Sequence, residues 1–386
     1  MFFNNLIGIG KKSALRISIV GGSNSVMRRG YTKYLKSYLT QAIAQPTTLE
    51  YYSLGGVPSV YGVIQQERYD IAATSDIIFF EYSGNDRYAM DDEQYDLNLS
   101  AKSLEGFIRK VQKSNSRCLV VLLLFGTNLE EFYNISCPFI ELYKLIAKEY
   151  NLPVIDITEI LRRDRDLDYV KSLYDENDHA HYTRPHGVQV VSRCIVDELG
   201  RLGILKSLTS KRKTFHIPDR IPLYPENFEG LKYFDRFEEA NYFVQKPKIS
   251  IYQNTVFREK NFQIHQGNSL NFLLKGRLMV IFIKSDSNDG FIEVKFGSQT
   301  MITSTYNSWV SMIRPQNVIN LLALPMRKFE PSPDFTPVSI SLCPEYPVEF
   351  ELGYNKIIPT KKDPQKWKLS IIGVAYFGEI KPIVNN

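Results

Sequence analysis

At 386 residues the chain exceeds what a single hydrophobic core usually serves, so two domains are expected. Hydrophobic residues at 44% and charged residues at 23% match an ordinary globular protein and exclude a disordered one. A net charge of +5 is small for this length, which argues against a nucleic-acid partner.

The opening stretch, MFFNNLIGIGKK, is apolar over too few residues for a secretory leader and lacks a small-residue cleavage site. No run of about eighteen apolar residues follows, so no membrane span is expected and a cytoplasmic location is. In that setting the sequons at Asn98 and Asn134 carry no meaning. Cys118, Cys137, Cys194 and Cys343 lack paired spacing and read as thiols rather than a disulfide framework.

Residues 1–205 read as an α/β domain. Short apolar runs at 16–20, 49–54, 76–82, 118–125 and 153–157 alternate with amphipathic segments, which predicts a parallel sheet flanked by helices. Leu35, Leu39, Ala42 and Ile43 mark a helix after the first run, and Leu142, Leu145 and Ile146 mark another after the fourth. Val188, Val191, Ile195, Val196, Leu199 and Leu202 give a last helix one apolar face.

Residues 206–245 read as a connecting segment, basic at Lys206, Lys211, Arg212 and Lys213 and interrupted by Pro218, Pro222 and Pro225. From 246 to 386 β-type runs take over, at 270–274, 278–283, 291–296, 318–324, 338–342, 348–352 and 369–376. These predict a β-sandwich of jelly-roll type. The Ser-Asp-Ser-Asn-Asp-Gly segment at 285–290 reads as a hairpin turn, since it lacks the ligand spacing and closing Glu of a calcium loop.

Four short elements carry chemistry. The first strand runs directly into Gly21-Gly22-Ser23, where a side chain just past a strand's carboxyl end faces the ligand crevice of an open α/β sheet. Alone, Ser23 reads equally as a helix N-cap or a phosphate-binding turn. Gly55-Gly56 and Ser83-Gly84-Asn85-Asp86 end the second and third strands. A Gly56 N–H and the Asn85 amide would join the Ser23 N–H around one oxygen. The fourth is Asp178-His179-Ala180-His181-Tyr182-Thr183-Arg184-Pro185-His186, which holds three of the chain's five histidines. It is expected to be a loop on the same rim. A turn there lets Asp178 bond His181 Nδ1 and leaves Nε2 for a serine proton. A metal site built from His179, His181 and His186 with Asp175 and Asp178 is the competing reading; no recognised ligand spacing supports it.

In this order the four elements resemble the blocks of the SGNH (GDSL-like) hydrolase superfamily, over roughly residues 14 to 205. The resemblance implies a flavodoxin-like three-layer fold, Ser23 as nucleophile, Gly56 and Asn85 as oxyanion-hole donors with the Ser23 N–H, and Asp178 with His181 as the acid-base pair. The first block has Gly22 where the family usually has Asp, and Tyr182 stands where a proline commonly follows the histidine. The Gly-Gly-Ser-Asn-Ser form is similar to a subgroup of bacterial, polysaccharide-related proteins. A serine esterase acting on acyl esters of a carbohydrate is therefore expected, with no cofactor. An O-acetyltransferase with acetyl-CoA as donor and a non-catalytic glycan-binding protein are the alternatives. Trp309 and Trp367 read mainly as core or rim residues of the sandwich, and as sugar-stacking groups only secondarily.

Overall fold

The computed structural model describes residues 14–43, 45–91, 95–129, 137–209, 215–254, 256–312 and 317–383. The MFFNNLIGIGKK stretch, the Asn134 sequon and the basic residues Lys211, Arg212 and Lys213 lie outside them.

Five strands, β1 (Leu15–Gly21), β2 (Thr47–Tyr51), β3 (Ile77–Glu81), β4 (Leu119–Leu124) and β5 (Val154–Asp156), form an all-parallel sheet in the order β2-β1-β3-β4-β5. Each expected run contributes a strand. The order places the topological switch between β1 and β3, whose carboxyl ends flank the crevice where ligands bind in such sheets.

Alternation along each strand feeds two cores. Ile17, Ile19, Ile77, Phe79, Val121 and Leu123 point one way; Val20, Ile78, Phe80, Val120, Leu122 and Leu124 point the other. The helices that fill the connections are α1 (Ser23–Val26), α2 (Tyr31–Ile43), α3 (Val60–Tyr69), α4 (Ile71–Thr74), α5 (Ser83–Asp91), α6 (Leu97–Asn115) and α7 (Pro138–Glu149). They continue with α8 (Ile157–Asp164), α9 (Leu167–Ser172), α10 (His186–Arg201) and α11 (Ile204–Thr209). Leu35 and Leu39 of α2 with Val191 and Ile195 of α10 cover the first face. Leu104 and Phe107 of α6 with Tyr143 of α7 cover the second, which completes three layers. A hairpin of β6 (Tyr174–Asp175) and β7 (Asp178–Tyr182) precedes α10.

The second half forms one large antiparallel sheet. Its strands are β8 (Lys232–Phe234), β9 (Lys248–Gln253), β10 (Arg258–Ile264), β11 (Ser269–Asp286), β12 (Phe291–Phe296), β13 (Gln299–Ser304), β14 (Asn317–Leu322), β15 (Ser332–Leu342) and β16 (Leu369–Lys381). The path runs β13-β12-β15-β11-β16-β10-β9, with β14 on β11 and β8 on β16. The runs expected at 270–274 and 278–283 are one strand, β11, bent where Gly276 at φ 129° opposes Gly378 at φ 103°. A Cβ on either would collide with the facing backbone. The run at 348–352 forms no strand, and Val348 is 96% exposed. The segment at 285–290 is a turn, with the Asp289 N–H on the Asp286 carbonyl at 3.0 Å, but it makes no hairpin: the strands it joins, β11 and β12, each pair with β15 and not with one another.

The two halves share a core. Along β11, Leu278, Ile281 and Ile283 enter the sheet's own cluster, whereas Met279, Val280 and Phe282 enter the cluster that holds α3 and α6. Ile372 and Ala375 of β16 do the same, and the Phe282 ring meets Tyr61 of α3 at 5.9 Å. Inside this apolar contact Arg68 of α3 pairs with both carboxylate oxygens of Glu259 in β10, at 3.0 and 2.8 Å. The connecting segment lies along α6, where the Leu223 and Tyr224 N–H groups each bond the Glu105 carboxylate at 2.7 Å. Among the described residues no helix is long and apolar enough to cross a membrane.

Candidate active site

Strand β1 delivers Gly21 and Gly22 to the switch point, and Ser23 opens the single-turn helix α1. Four residues make too short a helix for a macrodipole argument, so any oxyanion held here depends on individual N–H groups. Ser23 Oγ lies 2.7 Å from His181 Nε2, and His181 Nδ1 lies 2.5 Å from Asp178 Oδ2. A serine, an imidazole and a carboxylate thus form one continuous chain.

The segment carrying Asp178 and His181 is strand β7 rather than a plain loop. Tyr182 pairs with Tyr174 and Asp178 with Asp175, so residues 179, 180 and 181 bulge out between the two pairs. That excursion brings side chains three residues apart back together. The Ala180 N–H holds Asp178 Oδ1 at 3.0 Å, and Asn24 Nδ2 donates to the Ala180 carbonyl at 3.0 Å, tying the bulge to the serine turn. Burial opposes the Asp178 charge, but the bonds from His181 and from the Ala180 and His181 N–H groups outweigh it. Its carboxyl accordingly stays below its ordinary value.

The remaining blocks close around the same point. A Cβ on Gly55 would sit 3.3 Å from Ser23 Cβ, and one on Gly22 would collide with the Asn85 side chain. Asn85, in the first turn of α5, is 9% exposed. Gly56 adopts φ 68°, and its carbonyl accepts a 3.1 Å bond from Asn355 Nδ2 of the second domain. A Cβ on Gly56 would lie 3.7 Å from Trp309 Nε1, so the second domain forms a wall beside the serine turn.

No family model matches the sequence, and comparison with curated proteins gives no match. A two-domain esterase active on acetylated mannans, co-crystallised with mannopentaose, aligns over 97% of this chain and 92% of its own at 16% identity and TM-score 0.61. A second structure of that esterase aligns over 95% and 92% at the same identity and TM-score 0.61. An acetylxylan esterase from Geobacillus stearothermophilus aligns over 49% of this chain and 96% of its own, at 15% identity and TM-score 0.42. The fold is shared with that two-domain esterase: a parallel α/β domain joined to an antiparallel β domain.

Both departures from the expected block pattern have a physical reason. Gly22 replaces the usual Asp because Asn85 fills the volume that any side chain there would need. Tyr182 is buried, stacked on Tyr174 at 4.6 Å and edge-on to Phe125 at 5.8 Å, so it anchors β7 to the body. His179 and His186 are exposed and stand outside the serine chain; the His179 carbonyl accepts the Asn128 N–H at 2.7 Å. Among the described residues no group of three His, Cys, Asp or Glu side chains is placed to hold a metal.

Ser25, the other serine of the first block, is 1% exposed and turned away from His181. Its hydroxyl donates to Glu81 Oε2 at 2.9 Å and lies 3.0 Å from the Tyr31 hydroxyl. The two tryptophans separate: Trp367 is 1% exposed and belongs to the core, whereas Trp309 is 45% exposed beside Gly56. Sequence reasoning missed Glu81 and Asn355. A lone acid closing the otherwise apolar run Ile77-Ile78-Phe79-Phe80 was a signal for the first. Asn355 sits about 300 positions from the glycine it touches and had none.

Proposed function

We propose that this protein is a serine-dependent esterase that removes acyl groups, acetyl foremost, from a carbohydrate or polysaccharide. The observation that carries the reading is the unbroken Ser23–His181–Asp178 chain at the mouth of the β1/β3 crevice. His181 takes the Ser23 proton as Oγ attacks the ester carbonyl, and Asp178 holds the imidazole and balances its charge. The oxyanion is met by the N–H groups of Ser23 and Gly56 and by the Asn85 amide. His181 returns the proton to the leaving sugar oxygen, and water then releases the acyl group by the same steps reversed.

Two observations favour a sugar substrate. The similarity to a mannan-active esterase extends across both domains, and the second domain presents an exposed indole beside the serine turn. Sugar rings stack their C–H faces on such surfaces while their hydroxyls stay hydrated. The test is acetate release from acetylated mannan and xylan oligosaccharides by wild type and Ser23→Ala, with acetyl-CoA and deacetylated oligosaccharide run alongside. Ser23-dependent acetate release supports the esterase. Acetyl transfer from acetyl-CoA without hydrolysis would replace it with the transferase, and binding without either reaction would replace it with a glycan-binding protein.

A further inference from the structure

Glu81 closes β3 directly beneath the serine turn and is 1% exposed. Its Oε2 accepts the Gly22 N–H at 3.1 Å and the Ser25 hydroxyl at 2.9 Å, while its own carbonyl accepts the same Gly22 N–H at 2.9 Å. The Gly21–Gly22 peptide, one before the peptide that leads into Ser23, and the side chain two residues after Ser23 are thus held by one buried carboxyl. Nothing in the acyl-transfer chemistry consumes that group.

We propose that Glu81 is a positioning residue for the nucleophile: its side chain fixes the Gly22–Ser23 turn so that Oγ meets His181 and the Ser23 N–H faces the oxyanion. This rests on the esterase reading of Ser23. The neutral carboxylic form matters because a carboxylate here would place a buried negative charge one peptide away from the oxygen that becomes negative in the transition state. By Coulomb's law at interior dielectric, that repulsion slows acylation by roughly tenfold or more.

Gly22 and Ser25 face Glu81 from the serine turn, Tyr31 of α2 lies across Ser25, and Tyr82 follows Glu81 on its own chain. Both tyrosines are buried with hydroxyls pushed well above their ordinary value, so they stay neutral throughout the relevant range. His181 and Asp178 reach the serine turn through Ser23 Oγ. Burial drives the Glu81 carboxyl up to about 8, against the opposing pull of the Ser25 and Gly22 bonds. The neutral form therefore persists at neutral pH and is lost above it.

The experiment follows the rate of Ser23 labelling by a fluorophosphonate from pH 6 to about pH 10 in wild type, Glu81→Gln and Glu81→Ala. In labelling, Ser23 Oγ bonds phosphorus, the P–F bond breaks, fluoride leaves and His181 takes the proton. Wild type is expected to lose roughly tenfold in rate above about pH 8. Glu81→Gln, a permanently neutral acceptor, should keep the neutral-pH rate within about threefold and show no such decline. Glu81→Ala should label roughly tenfold or more slowly at every pH, because the turn loses its acceptor. The same alkaline decline in Glu81→Gln overturns the proposal and leaves the esterase reading intact, as does a wild-type rate in Glu81→Ala. Wild type with no labelling of Ser23 removes the esterase reading, and this proposal falls with it.

Discussion

Asn355 donates a 3.1 Å hydrogen bond to the carbonyl of Gly56, joining the β domain to the turn that follows β2. Asn355 is itself set by its neighbours: its carbonyl accepts the Ser308 N–H at 2.9 Å, and Asn307 bridges to Lys356. One bond therefore links a loop pair of the second domain to a glycine in the left-handed region, where only a pinned backbone keeps its N–H aimed.

Removing that bond should loosen the oxyanion side of the site without unfolding the protein. Asn355→Ala is expected to lower kcat on p-nitrophenyl acetate by roughly three- to tenfold, the range of one neutral hydrogen bond. KM and the thermal midpoint should change little. An unchanged kcat would make the bond a domain contact and nothing more.

Trp309 separates chemistry from recognition. Trp309→Ala should raise KM on acetylated oligosaccharides by roughly three- to tenfold, the scale of one aromatic contact. Turnover of p-nitrophenyl acetate, which has no sugar to stack, should hold. Equal losses on both substrates would show that the indole shapes the site instead of binding the sugar.

The interdomain ion pair predicts cooperative unfolding of both halves. Arg68 and Glu259 side chains are 8% and 7% exposed, so Glu259→Gln leaves the buried guanidinium only the more exposed Asp235 carboxylate at 3.9 Å and should cost up to about 3–5 kcal/mol. Urea denaturation followed by tryptophan fluorescence and by far-UV dichroism should give one coincident transition in wild type, at a lower midpoint in the variant. Two separated transitions in wild type would mean that the shared core does not couple the domains.

Asp86 and Glu81 are two of the buried carboxyls that contribute to the pH dependence of stability; burial also holds Asp289 well above its ordinary value. Burial raises Asp86 to about 6, against bonds from Ser100, Ser59 and Tyr143, and raises Glu81 to about 8. Both bind their protons more tightly when folded than when unfolded. Their contribution is full below about pH 4 and is lost as pH rises, through about 6 for Asp86 and about 8 for Glu81. Urea midpoints should fall between pH 6 and 8, and Glu81→Gln should flatten that part of the curve. A slope unchanged in Glu81→Gln would place the titration elsewhere.

The parallel sheet was legible because its inner strands β3 and β4 are buried on both faces and read as apolar runs, such as Leu119 to Leu124. Strand ends also pointed to Ser23 and Asn85 as crevice residues, whereas the Asp178–His181 pair, which precedes α10, stood out by its clustered histidines. The second domain was harder. Met279 to Ile283 and Ile371 to Ala375 are also unbroken apolar runs, and in an antiparallel sheet that pattern marks strands covered by a second body. Read that way, they announce the contact with α3 and α6. The β7 bulge escaped notice because its pairing depends on a register shift against a two-residue strand. Trp309 and Trp367 are indistinguishable by composition, since only tertiary placement exposes one and buries the other.

The central claim is that Ser23 becomes acylated with His181 as its base. Acid-quenching the enzyme during turnover of p-nitrophenyl acetate and mapping the acetyl group by peptide mass spectrometry tests it most directly. The account predicts one acetyl group on the peptide bearing Ser23, absent in Ser23→Ala and in His181→Ala. Turnover with no acetyl on Ser23, or an acetyl that persists on another residue in Ser23→Ala, would contradict it.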